Sequence, residues 1–140
     1  MEPLAIDLEE LSNALEDHSI TWYLDLRDGK VIPLVDDPEI NKMTGVHRAE
    51  KQPEIFLRIT PRPSHEGYAI MEDFTEGLPD GRAKHALLRA LGQPKPFRRF
   101  KDALYNFPSE QEAWYKFHAA RLQEAAIGFL KVNSIAWTKK

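Results

Sequence analysis

A strand-turn-strand pattern near the N-terminus constrains the fold of this chain more than any other feature. Residues 20–26 alternate between large apolar side chains and Thr, Tyr or Asp, which is typical of a strand with one buried face. Asp28-Gly29 then supplies the positive φ angles of a tight turn, and residues 31–35 resume the apolar run. The pattern predicts an antiparallel hairpin. Its second strand should lie at a sheet edge, because Pro33 cannot donate a ladder hydrogen bond.

The remaining apolar periodicity predicts an α+β fold in a single domain, residues 1–140. Residues 54–60 alternate again and predict a third antiparallel strand. Residues 36–53 hold two prolines, a glycine and few large apolar side chains, so we expect a long loop there. Helical spacing predicts an N-terminal helix at about 8–17 and a C-terminal group of four helices at about 64–78, 83–91, 97–107 and 109–130.

Polar residues predict where several of these helices begin. Asp7 and the glutamate three residues later have the spacing of a capping box. Ser64 is expected to cap the helix at 64–78, and Ser109 with Glu112 forms a second predicted capping box. Gly92 is placed to end the helix at 83–91.

Composition and charge narrow the class of function. The formal net charge of −3 and the pI near 6.0 argue against a general nucleic-acid binder, which usually carries a strong basic excess. The absence of cysteine excludes disulfides, a thiol nucleophile and a thiolate metal site. No segment approaches the roughly 20 apolar residues that span a bilayer, and the N-terminal segment is acidic where a signal peptide is basic. We therefore expect a soluble, cytoplasmic protein without membrane association.

A search for catalytic and cofactor motifs predicts no catalytic residue, cofactor or metal. The five histidines are too far apart for a helical two-histidine metal motif, and no cysteine can complete a zinc site. The chain also lacks a G-x-S-x-G elbow, a P-loop and a dinucleotide-binding glycine fingerprint. An enzyme is therefore not favoured.

A basic aromatic stretch at 97–107 is the first candidate for a functional surface. On a helix, one face of this stretch carries four apolar residues that we expect to be buried: Phe97, Phe100, Leu104 and Phe107. Arg98, Arg99 and Lys101 lie outside that face. They form either an ordinary solvated surface or a site where arginine forks hold a phosphate or carboxylate.

The last predicted helix carries a polar pair within an apolar sector. Trp114 and its apolar neighbours favour core packing, yet His118 and Arg121 fall in the middle of the same sector. Burying a guanidinium costs several kcal/mol unless it is paired. Arg121 should therefore either meet a carboxylate, from the helix at 64–78 or from Asp25, or face an opening that admits a ligand. His118 is expected to be hydrogen-bonded or partly exposed, unless it belongs to the same ligand site.

Several of these residues together resemble a known bacterial family, the uncharacterised protein family 0158. Its C-terminal signature is similar to FRRFKD at 97–102, followed here by Leu104, Pro108, Trp114-Tyr115, Phe117, Arg121 and Leu122. Earlier motifs of the family are similar to Leu24-Asp25-Leu26 with Gly29 and to MEDF at 71–74. The link at 92–96 and the segment at 36–53 depart from the family pattern. The resemblance implies a compact bacterial cytoplasmic protein and supplies no catalytic residue.

These observations lead to one main functional hypothesis and two alternatives. The main hypothesis is a non-enzymatic binding or regulatory module in which a basic-aromatic helical hairpin, formed by the predicted helices at 97–107 and 109–130, holds an acidic protein partner or anionic ligand. The first alternative is a nucleotide or nucleic-acid ligand, and the second is an enzyme with a discontinuous site near Arg121 and His118. The candidate binding residues are Arg98, Arg99, Lys101, Trp114, His118 and Arg121.

Overall fold

Six α-helices and five short strands make up the part of the chain that the computed structural model describes, residues 2–140. The strands are β1 (Leu4–Ile6), β2 (Thr21–Asp25), β3 (Val31–Leu34), β4 (Phe56–Ile59) and β5 (Trp137–Lys139). The helices are α1 (Leu8–Glu16), α2 (Pro38–Thr44), α3 (Ser64–Glu76), α4 (Arg82–Leu91), α5 (Pro96–Leu104) and α6 (Pro108–Val132). The predicted α+β class is confirmed.

The chain divides into two compact units. The first unit comprises the residues up to Pro61 together with Leu122–Lys140, and the second unit comprises Arg62–Arg121. Helix α6 contributes its residues up to Arg121 to the second unit and the remainder to the first unit. The single-domain expectation stays a prediction.

The predicted hairpin is present in the first unit and belongs to a three-stranded antiparallel sheet of order β3-β2-β4. Pro33 lies in the edge strand β3, opposite Trp22, so the edge prediction is confirmed. The turn depends on Gly29, which has a φ of 83°. A Cβ atom there would lie 2.5 Å from the carbonyl oxygen of Ala5, so no other residue fits.

The core of the first unit packs α1, residues of β1, β2 and β4, and the end of α6 together. Helix α1 begins where the sequence predicted, because the Asp7 carboxylate accepts hydrogen bonds from the backbone N–H groups two and three residues later, at 3.0 and 3.2 Å. The core consists of Ile6, Leu8, Leu11, Ala14, Leu15, Leu24, Ile59, Ala126 and Leu130.

The prediction of a long loop at 36–53 is wrong, because this segment folds into α2 and a 3-10 turn at Val46–Arg48. The Asp37 carboxylate caps α2 by accepting a backbone N–H at 3.0 Å. Pro38 occupies the first helical turn, where its missing N–H costs nothing, and Gly45 ends the helix with a φ of 84°. Pro38 therefore starts the helix and does not break it.

A two-stranded parallel sheet was missed by the sequence reading. Strand β1 pairs with β5, with Leu4 opposite Trp137 and Ile6 opposite Lys139. Each strand has only three residues, which is too short for alternation to be recognised.

The second unit packs α3, α4, α5 and the first part of α6 around an aromatic core. The Tyr68 hydroxyl donates a hydrogen bond of 2.8 Å to the carbonyl of Leu91, which connects α3 to the end of α4. The large buried side chains of this unit are Ile70, Met71, Phe74, Leu87, Leu91, Phe100, Leu104 and Trp114.

Two predicted helix caps in the second unit are wrong, by one residue at α3 and by two at α6. Ser64 is the first residue of α3. The cap residue is Pro63, which makes no side-chain hydrogen bond. Ser109 likewise lies inside α6, which begins at Pro108, because proline suits the first turn of a helix. Gly92 ends α4 as predicted, although its φ of −85° is not left-handed.

Candidate functional site

Helix α5 separates a buried apolar face from an exposed charged face. Phe100 and Leu104 are almost completely buried and attach the helix to the second unit. At 100° per residue, the positions three and four apart on the opposite side share one surface. Four cationic residues are exposed on this surface and along its flank: Lys95, Arg98, Arg99 and Lys101. We call these four residues the cationic face.

A shallow depression of about 300 Å³ lies on this surface. It is lined by Lys95, Arg98, Arg99 and one carboxylate, Asp102. The lining therefore carries three positive charges and one negative charge. Lys101 is not part of the lining and lies on the neighbouring flank of α5. The structure thus brings Arg98 and Arg99 together and places Lys101 beside them.

The cations of this face form no ion pair with the part of the chain that the structure describes. Within residues 2–140, none of the side chains of Lys95, Arg98 and Lys101 forms a hydrogen bond or an ion pair. Arg99 uses only its Nε, which donates a hydrogen bond of 2.9 Å to the carbonyl of Pro94. That bond orients the guanidinium and leaves both terminal nitrogens for an anion. The Arg99 side chain is therefore partly preorganised.

The expectation that Phe97 is buried is wrong, because 47% of this residue is exposed. Phe97 stands in the first turn of α5, and its ring lies over Gly67 of α3. A Cβ atom on Gly67 would approach Cε1 of Phe97 to 3.3 Å. At the other end of α5, Tyr105 is 79% exposed, and Phe107 is half-buried. Two exposed aromatic rings therefore flank Lys101 at spacings of four residues.

Trp114 and His118 lie in the aromatic core of the second unit. The Trp114 ring meets Phe100 edge-on at a centroid distance of 5.0 Å and Phe74 at 5.4 Å. The His118 ring stacks on Trp114 at 4.7 Å with 12° between the planes. Burial of the imidazole lowers the pKa of His118, and the positive charge of Arg62 lowers it further. Trp114 therefore packs as a core residue, and half-buried His118 favours its neutral form.

Arg121 meets a carboxylate on the helix that the sequence indicated. Its Nη2 donates a hydrogen bond of 2.9 Å to Oδ2 of Asp73 on α3, and its guanidinium lies 5.5 Å from the ring centroid of Phe117. The side chains of Arg121 and Asp73 are 35% and 50% exposed, so the pair is accessible to solvent. The predicted ion pair is therefore formed, and it lies at the surface of the second unit.

The six candidate residues therefore do not form one site. Phe100, on the buried face of α5, contacts Trp114, so Arg98 and Arg99 lie on the side of α5 that faces away from Trp114. Lys95 was missed by the sequence reading. Its signal was its position beside the basic stretch: it precedes the first residue of α5, has a φ of 55° and lines the same depression as the two arginines.

Neither a metal site nor a membrane span is found among the described residues. In the range 2–140, no three or more histidine, aspartate or glutamate side chains are grouped so that they could hold a metal ion. No helix in that range combines the length and the apolar character needed to cross a membrane.

Comparison with known proteins establishes the family. The model of the uncharacterised protein family UPF0158 matches residues 1–140. The chain belongs to this family. A curated UPF0158 member, protein PA5073 of Pseudomonas aeruginosa, is 35% identical over 138 residues, which cover 96% of this chain and 87% of that protein. No solved structure matches the chain. The resemblance read from the C-terminal signature of UPF0158 is confirmed.

Proposed function

We propose that this UPF0158 member is a non-enzymatic binding module that uses the cationic face of α5 to hold an acidic protein partner. The observation that carries the proposal is the exposed positive charge of this face, which exceeds the single carboxylate beside it, Asp102. Lys95, Arg98 and Lys101 have no acidic partner within residues 2–140, and Arg99 keeps two nitrogens unbonded. Such a surface gains carboxylate partners without first losing any of its own.

The chemistry of arginine suits carboxylates on a protein surface. A guanidinium presents two parallel N–H donors that match the two oxygens of a carboxylate, whereas a lysine acts as a mobile point charge. Each exposed pair contributes only about 0.2–1 kcal/mol, so recognition requires several pairs to form together. The cationic face provides three cations on one short helix and a fourth, Lys95, just before it, which is enough for such a combined contact.

The rigid attachment of α5 supports the proposal. Phe100 and Leu104 are buried in the second unit, and burying each of these side chains contributes about 1.5–3 kcal/mol relative to leaving it exposed. The helix therefore does not need to fold when the partner arrives, and the ordering cost of binding is confined to the long cationic side chains.

The test removes the charges without touching the core. Arg98, Arg99 and Lys101 are replaced together by Ala, and binding to a fluorescent polyglutamate peptide is measured by anisotropy over a salt series. We expect binding to be lost, and the wild-type affinity to fall with added salt because exposed charge pairs are screened beyond about 8 Å at 0.15 M ionic strength. The thermal unfolding temperature should change little, because surface substitutions usually stay within about 0.5 kcal/mol.

The control variant removes the same charge elsewhere in the second unit. Arg82, Arg89 and Lys116 are exposed and lie on α4 and α6. Their triple Ala variant should bind polyglutamate as the wild type does. An equal loss in the control would show a net-charge effect and overturn the proposal. Preferential binding of a single-stranded oligonucleotide of matched charge would instead favour the nucleic-acid alternative.

A further inference from the structure

The exposed aromatic rings at the two ends of α5 carry information about the partner beyond its charge. Phe97 and Tyr105 are separated by eight residues, with Lys101 midway between them. Eight residues of α-helix span about 12 Å, and side chains four apart form one of the ridges by which helices pack. The row Phe97, Lys101, Tyr105 is such a ridge, and in the described chain it is exposed at both aromatic ends.

We infer that the partner segment is an acidic amphipathic helix whose apolar side chains pack against Phe97 and Tyr105. This inference rests on the proposed function, and it adds that the partner segment is helical and carries apolar side chains beside its acidic ones. Helices that pack through ridges of residues four apart are the commonest class in globular proteins. A wholly polar acidic segment would leave both aromatic rings against water.

The charges on α5 determine how the partner's carboxylates are arranged. Arg98 and Asp102 occupy the row next to the aromatic ridge, and Lys95 with Arg99 lies beyond it, so this flank carries three cations and one carboxylate. The row on the other side of the ridge holds Phe100 and Leu104, which are buried in the second unit. The partner helix should therefore carry its acidic residues on one flank of its apolar stripe and not on both. This asymmetry complements the one-sided charge of α5.

The Phe97 ring packs against Gly67 of α3, and this contact exists without any partner. It lies over Gly67 so closely that a Cβ atom there would be 3.3 Å from Cε1 and 3.8 Å from Cζ of the ring. A side chain that is already ordered loses little rotamer freedom on binding, so its contact area contributes more to affinity. Phe97 therefore serves as the anchor, and Tyr105 adds a second apolar contact at the other end of the ridge.

Two synthetic peptides test the inference. Both are helical 18-residue peptides with the same glutamates on one flank; the first carries Leu at positions three and four apart, and its twin carries Gln at those positions. We expect the Leu peptide to bind the full chain at least tenfold more tightly than the Gln twin. The double variant Phe97→Ala, Tyr105→Ala should abolish that difference in affinity. The double variant Arg98→Ala, Arg99→Ala should lower the affinity for both peptides.

The outcomes separate this inference from the proposed function. Equal affinity of the wild type for both peptides overturns the amphipathic partner and leaves acidic capture standing. No binding of either peptide overturns both. The single variant Tyr105→Gln tests the ridge even if the double variant misfolds, since this 79% exposed residue makes no side-chain hydrogen bond in the described chain. Tyr115→Gln on α6, also exposed, is the matched control and should leave both affinities unchanged. A loss with Tyr115→Gln as large as with Tyr105→Gln would refute the assigned ridge.

Discussion

Asp25 should be the most important charged residue for the stability of the sheet. It is only 3% exposed, and its carboxylate accepts three hydrogen bonds from Arg27: from the backbone N–H at 2.9 Å, from Nε at 3.1 Å and from Nη2 at 2.9 Å. Hydrogen bonds to charged groups contribute about 1.5–3 kcal/mol each, but Arg27 is 59% exposed at its side chain and can regain water. We therefore expect Asp25→Ala to cost about 2–3 kcal/mol in the free energy of unfolding.

The pH dependence of this effect follows from the pKa of Asp25. Burial alone would raise the pKa, but the Arg27 hydrogen bonds and charge outweigh it and lower the pKa below its usual value. Because the folded-state pKa is depressed, the stabilisation is fully present above the unfolded value of about 3.9 and is lost as pH falls through the folded pKa. The difference between wild type and Asp25→Asn should therefore shrink below about pH 4.

Urea denaturation of both variants at pH 7 and at acid pH measures these differences. Asp28→Ala is the matched control, because Asp28 is exposed, its ion pair with Lys30 spans 3.8 Å, and its one hydrogen bond, from the backbone N–H of Lys30 at 3.0 Å, is open to solvent. That variant should cost less than about 1 kcal/mol. Equal losses for the Asp25 and Asp28 variants would refute the reasoning that burial and the Arg27 fork make Asp25 special.

Three further predictions concern the second unit. Stability should fall as pH drops below about 6.5, because the pKa of His118 is lowered in the folded state; His118→Phe, which keeps the ring stack, should show a smaller loss between pH 7.5 and 5.5. Arg121→Gln should cost less than about 1 kcal/mol in urea denaturation, because its pair with Asp73 is exposed, and a loss of 3 kcal/mol would contradict this. Gly67→Ala should raise the unfolding temperature, because alanine gains about 0.5–1 kcal/mol over glycine in helix propensity. The added methyl group should also displace the Phe97 ring, so binding of the Leu peptide should weaken although the protein is more stable.

The sequence predicted elements well where one local rule dominates. Alternation with Asp28-Gly29 located the hairpin, and the edge position of Pro33 followed from its missing donor. Both are properties of short stretches of chain. The pairing of β1 with β5 joins residues more than 130 positions apart, and each strand is too short to show a period. No local rule can find such a pair.

The sequence predicted most residues of the candidate site but not which of them lie together. Helical spacing placed Arg98 and Arg99 on an exposed face, and the cost of burying a guanidinium led to a carboxylate partner for Arg121. Helical spacing alone could not predict that Phe97 is exposed, because its burial depends on which other elements pack against the first turn of α5. The close approach of Gly67 is a tertiary contact with no signal in the sequence.

The two faces of α5 allow binding and folding to be examined separately. Phe100 holds the helix through its contact with Trp114, so changes on that side disturb the core of the second unit together with any function. The side chains of Arg98 and Lys101 make no polar contact within residues 2–140, and Arg99 donates only to the carbonyl of Pro94, so the folded state gains little that the substitutions would remove. Three cations close together on one helix also repel one another weakly. Their replacement by Ala should leave stability unchanged or slightly raised, and any loss of capture can then be assigned to the surface itself.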